Sequence, residues 1–155
     1  MGLVPFLLST RVIMRERDRI LVVDDDRDAC ELFVLVLEEA GYTVDSADSG
    51  FQALSMVSSG HPDLVLTDLQ MPGMSGLELI RRIRSFDPSV PVVLTTGLET
   101  RDLCTGAQAY GAEACLEKPV NLDELLWTID CALTCRRQQR AQESASGASA
   151  AGAAR

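Results

Sequence analysis

The sequence predicts an α/β fold in which a five-stranded parallel sheet is doubly wound, with helices on both faces. Three observations carry that expectation. Residues 20–23 (ILVV), 64–67 (LVLT) and 90–95 (VPVVLT) are short aliphatic or β-branched runs, the pattern of strands buried on both faces. Between the runs, apolar residues recur at helical spacing. The two kinds of segment alternate along the chain, and right-handed crossovers wind such an alternation into one parallel sheet.

Taken in order, the strand 20–23 leads into Asp24, Asp25 and Asp26 and then a helix. Ala29, Leu32, Phe33, Val36, Leu37 and Ala40 mark its buried face, and Gly41 stops it. Residues 42–46 are a weaker strand. Ala53, Leu54 and Val57 mark the second helix, with Asp48 or Ser49 as its cap. The third strand is 64–67, and Leu77, Ile80 and Ile83 mark a helix that ends before Asp87-Pro88, because a residue preceding proline avoids the helical region. After 90–95 comes a poorly patterned helix over 102–110 that contains Gly106, and then a weak strand at 114–117. The fifth helix carries Leu122, Leu125, Leu126, Ile129 and Leu133, and Asn121 with Glu124 makes a capping-box-like start. The expected strand order is the flavodoxin-like 2-1-3-4-5, with the site outside the carboxyl ends of the first and third strands.

The folded unit is expected over 18–136. Residues 1–17 read as an N-terminal extension. Met14 stands just before the first strand and suits a natural start, so 1–13 read as a start-site artefact. Residues 2–8 (GLVPFLL) lack the basic flank and cleavage site of a signal peptide, and Phe6 stands where myristoylation needs Ser or Thr. Residues 137–155 form an Ala/Ser/Gly-rich tail that reads as disordered, with Arg136, Arg137 and Arg140 complementing the end of the fifth helix. The net charge of −9 argues against a nucleic-acid surface, and no apolar run is long enough to span a bilayer. The five cysteines, an odd count, do not read as a disulfide framework. Cys131 and Cys135 are one helical turn apart, but His61 is the only histidine and no second pair accompanies them, so they read as ordinary packing or surface residues rather than a metal site. The expectation is a reduced, cytoplasmic protein.

Chemistry gathers at the strand ends. Asp24, Asp25 and Asp26 follow the first strand and Asp68 follows the third, so the parallel arrangement brings these acids together at the switch point. Two carboxylates about 4 Å apart repel by roughly 4 kcal/mol at an effective dielectric near 20. Mg²⁺ is the natural compensation, since it takes a few carboxylates along with water and phosphate oxygens. Thr96 and Lys118 follow at the fourth and fifth strand ends. A hydroxyl and an ammonium there could hold the oxygens of a phosphoryl group carried by Asp68.

With these residues in place, the motifs VVDDD, DLVLTDLQMPGMSGLEL, PVVLTTG and EKP make the chain resemble the response-regulator receiver domains of two-component signalling, in their single-domain form. The resemblance implies a phosphoacceptor at Asp68, direct binding of Mg²⁺ by Asp25 and Asp68, a largely water-mediated role for Asp24, and a backbone carbonyl ligand from Gln70. It implies that Thr96 and Lys118 engage the phosphoryl group and that the Lys118–Pro119 bond is cis. The donor would be a histidine kinase or a histidine phosphotransfer protein. The output would be a changed affinity of the face formed by the fourth helix, fifth strand and fifth helix for a partner protein. Trp127, which lies off the Leu/Ile stripe, is a candidate contact on that face. No output domain, direct DNA binding or membrane association is expected, and Asp68 would autodephosphorylate at most slowly. The chain departs from the family at Cys115, where receivers carry Tyr or Phe three residues before the lysine and use it as a switch. Gly97 leaves access beside Thr96, and Leu98 would shield it. Two other readings compete. A phosphatase-type enzyme with an Asp nucleophile would place a second Asp where this chain has Gln70. A degenerate receiver used as a scaffold would not keep Asp25, Asp68, Thr96 and Lys118 together.

Overall fold

The five strands are β1 (Arg19–Val23), β2 (Thr43–Ala47), β3 (Leu64–Asp68), β4 (Val92–Thr96) and β5 (Ala114–Glu117). They pair in parallel in the order β2-β1-β3-β4-β5. Between and after them run α1 (Arg27–Glu39), α2 (Gly50–Gly60), α3 (Gly76–Phe86), α4 (Arg101–Gly106) and α5 (Leu122–Ala150), and a 3₁₀ turn at Ala107–Tyr110 follows α4. This computed structural model describes residues 17–97 and 101–150. The expectations for residues 1–16, for Leu98 and for 151–155 lie outside the described residues.

Every residue of β3 and β4 is buried, which is why their sequences run apolar without alternation. Successive side chains point to opposite faces. Leu21, Val65 and Leu94 therefore join Val57 of α2 and Ile80 and Ile83 of α3 in one core layer. Ile20, Leu66 and Val93 join Phe33 of α1 and Leu125 and Ile129 of α5 in the other. Side-chain caps start four helices: Asp26, Ser49, Ser75 and Asn121 accept from backbone N–H groups two or three residues on. Among the described residues, no helix is long and apolar enough to cross a membrane.

Four expectations change. The buried face of α1 is Phe33 and Leu37, flanked by Cys30 and Val34, while Leu32 and Ala40 are exposed. Ala29, Phe33 and Leu37 keep their expected place against the sheet; the apolar residues of this helix cover more than one stripe, and contact with the sheet takes the Phe33–Leu37 stripe and leaves Leu32 and Ala40 outside it. Residues 137–150, read as disordered, continue α5 as helix. Extending an existing helix avoids the unfavourable nucleation step, and the alanines there are the best helix formers. The arginines therefore lie within α5 rather than at its end. Arg136, 5% exposed, donates to the Pro62 carbonyl at 3.2 Å and to Asp63 Oδ1 at 3.1 Å. Arg137 pairs with Asp18. Finally, the chain is not fully reduced. Cys104 and Cys115 form a disulfide, with Cα atoms 5.7 Å apart, whereas Cys30, Cys131 and Cys135 are free. Spacing in sequence gave no sign of this pair because the 3₁₀ turn and the loop before β5 fold back to bring it together.

Asp63 also accepts from the Arg19 amide at 2.8 Å, so one carboxylate ties the start of β1 and the middle of α5 to the turn before β3. Asp63→Ala, which strands a buried guanidinium, should lower stability by about 2–3 kcal/mol. Urea unfolding followed by circular dichroism measures this, and an unchanged midpoint would contradict the assignment.

Candidate functional site

The parallel register sets the site. Asp24 directly follows β1, and Asp68 is the last residue of the adjacent β3, so both acids emerge at the same rim. Asp24 is 2% exposed and Asp68 8%, while Asp25 faces solvent. Carboxylate oxygens of all three lie within 4.8 Å of one another. Lys118 reaches in from the end of β5, its Nζ 3.0 Å from Asp24 Oδ2 and 3.3 Å from Asp68 Oδ2. Asp24 Oδ1 accepts from the Asp26 amide at 2.9 Å. That contact gives the DDD run a division of labour: Asp24 is an anchored buried acid, Asp25 an open one, and Asp26 the cap of α1.

The loop between β3 and α3 forms the far wall. Met71 and Met74 bury their side chains, Gly73 takes the left-handed conformation at φ 79°, and Gly76 N–H donates to the Leu69 carbonyl at 2.8 Å. A Cβ on Gly76 would lie 2.5 Å from the main-chain oxygen of Asp68. The spacing of MPGMSG thus reflects two buried anchors, one left-handed turn residue and one close backbone approach. Sequence reasoning used the motif only as a resemblance; the alternation of Met with small residues was the physical signal available.

Asp25, Asp68, Gln70, Gly97 and Lys118 line one open pocket. The Gln70 amide approaches Asp68 Oδ1 at 3.5 Å, a weak contact. Thr96, which ends β4, is fully buried, and its hydroxyl donates to the Gly97 carbonyl at 3.3 Å. It stands beside the pocket rather than lining it. The Lys118 amide donates to the Thr96 carbonyl at 2.7 Å, which couples the ends of β4 and β5. The Lys118–Pro119 bond is cis. The site thus gathers Asp24, Asp25, Asp68, Gln70 and Lys118, with Thr96 adjacent. Cys115, the switch position, is held in the disulfide to α4.

The electrostatics follow from burial. Desolvation is the largest influence on Asp68 and raises its carboxyl above the ordinary value; Lys118 opposes this and Asp24 reinforces it. Burial alone would lower the Lys118 ammonium, but its hydrogen bond to Asp24 and the charges of Asp24 and Asp68 hold it above its ordinary value. Three formal carboxylate charges meet one ammonium, which leaves an excess matching a divalent cation. The donors are hard oxygens, and the most exposed of them, Asp25, opens to the pocket. This set fits Mg²⁺ rather than a soft metal.

The sequence matches the response regulator receiver domain family over residues 20–130. Transcriptional regulatory protein ZraR of Klebsiella oxytoca is 39% identical over 79% of this chain and 28% of its own length. Response regulator MprA of Mycobacterium bovis is 36% identical over 81% of this chain and 55% of its own length. The chain thus spans about half or less of the length of these curated relatives. Among solved structures, a receiver domain protein from Clostridium thermocellum superposes with a TM-score of 0.76 at 30% identity, covering 79% of this chain and 98% of that one. A CheY-like receiver domain protein from Methanospirillum hungatei gives 0.71 at 31% identity, with the same coverages.

The raised carboxyl of Asp68 fixes a sign. The folded state holds this proton more tightly than the unfolded state, so stability falls as pH rises from the ordinary 3.8 through the raised value, and stays lower above it. In Mg²⁺-free buffer, Asp68→Asn should therefore raise the melting temperature at pH 7, and by more than it does at pH 4. Thermal scans at the two pH values check this; equal shifts would refute it.

Proposed function

The chain belongs to the response regulator receiver family, and on that premise we propose that it is a phosphorylation switch that accepts a phosphoryl group on Asp68. The observation that carries this reading is the Asp24, Asp25 and Asp68 cluster with Lys118 bridging its two buried members. Asp68 attacks the phosphorus of a phosphohistidine; the P–N bond breaks, a P–O bond forms and the imidazole leaves. A histidine kinase or a histidine phosphotransfer protein supplies it. Asp24, Asp25, Asp68 and the backbone carbonyl of Gln70 would hold Mg²⁺, which supplies charge neutralisation for the phosphoryl oxygens. Lys118 moves from the Asp68 carboxylate to the phosphoryl group, and Thr96 turns its hydroxyl from the Gly97 carbonyl toward it. Asp68 sheds the group only slowly by itself, and Gln70, which is neither acid nor base, stands where a turnover enzyme of the phosphatase type would keep a second carboxylate.

A phosphoryl group brings roughly −1.5 to −2 charge into an already acidic pocket. The inward pull on Thr96 and Lys118 acts on the ends of β4 and β5, and through them on the face formed by α4, β5 and α5, as a two-state shift. Trp127 on α5, 70% exposed, and Leu103 and Tyr110 lie in this part of the chain as exposed large apolar groups. The net charge of −9 favours a protein partner over nucleic acid on this surface, and the setting is cytoplasmic.

Incubation with acetyl phosphate and Mg²⁺ should give one acid-stable, base-labile acyl phosphate per chain, visible by intact mass. It should be absent in Asp68→Asn and when EDTA is present, and Lys118→Ala should slow its formation by about 100-fold. Lack of uptake by the unaltered chain, or many turnovers of a small phosphoester, would overturn this reading.

A further inference from the structure

We propose that Cys104 and Cys115 are a reversible dithiol–disulfide switch that fastens α4 to β5 and so holds the α4–β5–α5 face against rearrangement. The proposal rests on the phosphorylation-switch reading above and adds a second input to the same face.

The place of each sulfur carries it. Cys115 is paired in register with Leu94 of β4 and packs against the core layer that includes Ala107 and Ala112. It stands three residues before Lys118, on the strand whose end the site must move. Cys104 lies in α4, a helix of six residues, far shorter than helices that hold together without tertiary support. Asp102, Leu103 and Thr105 of that helix are exposed, and Cys104 and Gly106 are its only described residues that are partly buried. α4 lies against the ends of β4 and β5, and the disulfide adds the covalent tie that fastens its partly buried side there. The Cα separation of 5.7 Å suits a disulfide with no movement of either element.

The pair is also reachable and distinct from the other cysteines. Both sulfurs belong to partly exposed residues. Cys30, by contrast, is pushed toward the thiol form by burial and by the charge of Asp24, which makes it a poor nucleophile. Cys131 and Cys135 stay unpaired although they are one helical turn apart. In a reducing compartment, a lone disulfide of this kind is typically transient and redox-sensing rather than structural.

The co-reactant is a low-molecular-weight disulfide. One protein thiolate attacks it, its S–S bond breaks, and one small thiol leaves a mixed disulfide. The second protein thiolate attacks that mixed disulfide and releases the second small thiol. Two protons and two electrons pass from Cys104 and Cys115 to the small disulfide, which becomes two thiols. Reduction runs the same steps backwards. In the oxidised form α4 cannot part from β5, so a phosphoryl group on Asp68 loads the site without moving the face. In the reduced form Cys115 is free, and the ends of β4 and β5 carry the displacement into α4.

The test uses the full chain equilibrated in glutathione buffers from fully reduced to fully oxidised. Alkylation with mass mapping reads each cysteine. Hydrogen exchange of residues 101–117 is followed with and without acetyl phosphate and Mg²⁺. Cys104 and Cys115 should oxidise together in one two-electron step, while Cys30, Cys131 and Cys135 remain alkylatable throughout. Without phosphate, exchange in α4 should be at least about tenfold slower in the oxidised form than in the reduced form. Phosphorylation should alter it only in the reduced form. Cys104→Ser should take up phosphate normally and respond to it in every buffer. The proposal fails if no Cys104–Cys115 bond forms in the most oxidising buffer, if α4 exchanges equally in both forms, or if phosphate shifts exchange alike in both. An absence of phosphoryl uptake in every buffer would instead sink the underlying switch reading, and the comparison without phosphate would still decide the staple.

Discussion

The Lys118 ammonium sits between two carboxylates that the sheet would otherwise force together unbalanced. β1 and β3 are neighbours in a parallel sheet, so whatever follows their last residues shares one rim, and here both positions are acids with little access to water. The desolvation of such groups is costly unless a counter-charge shares the space. Lys118 arrives from the fifth strand, at the other side of β4, and its position requires the β5 end and the amide contact to Thr96 both to be in place. The arrangement is therefore a constraint on three strand ends at once. A change of charge at Asp68 disturbs the balance, and the part of the sheet able to answer is the one that carries Lys118.

This explains which parts of the molecule could be read from the residues alone. The strands β3 and β4 were legible because burial on both faces leaves an uninterrupted apolar signature. The acids were legible because they fall directly after such runs, and topology does the rest. The α1 face was legible in part: Ala29, Phe33 and Leu37 fall where the spacing puts them, but its apolar residues spread over more than one stripe and only the sheet excludes Leu32 and Ala40. The helical state of 137–150 escaped a compositional reading because it is inherited from the preceding turns of α5. Arg136 looked like a helix-end charge and is instead a buried tie to Asp63, a contact 73 residues away in sequence that no local pattern encodes. The Cys104–Cys115 bond is legible only once the 3₁₀ turn has brought its two ends together.

The site and the face it acts upon are joined by few atoms. Thr96 and Lys118 share a backbone hydrogen bond, β5 is only four residues long, and α4 is short. A narrow junction transmits small displacements because there is little else to absorb them. It also means that a single covalent bond across it can dominate its mechanics.

The long α5 has a geometric consequence. Among the described residues its last buried one is Arg136, and residues 138–148 beyond it are exposed. At 1.5 Å per residue, the fourteen residues after Arg136 make a rod of about 21 Å pivoting on the Asp63 tie. A tilt of about 10° at that pivot sweeps the far end through roughly 4 Å. The helix is thus a lever arm: its fulcrum is a salt bridge, one side is the packed stretch beside the sheet, and the free side, equally long, carries whatever angular change the body of the domain makes out to its far end.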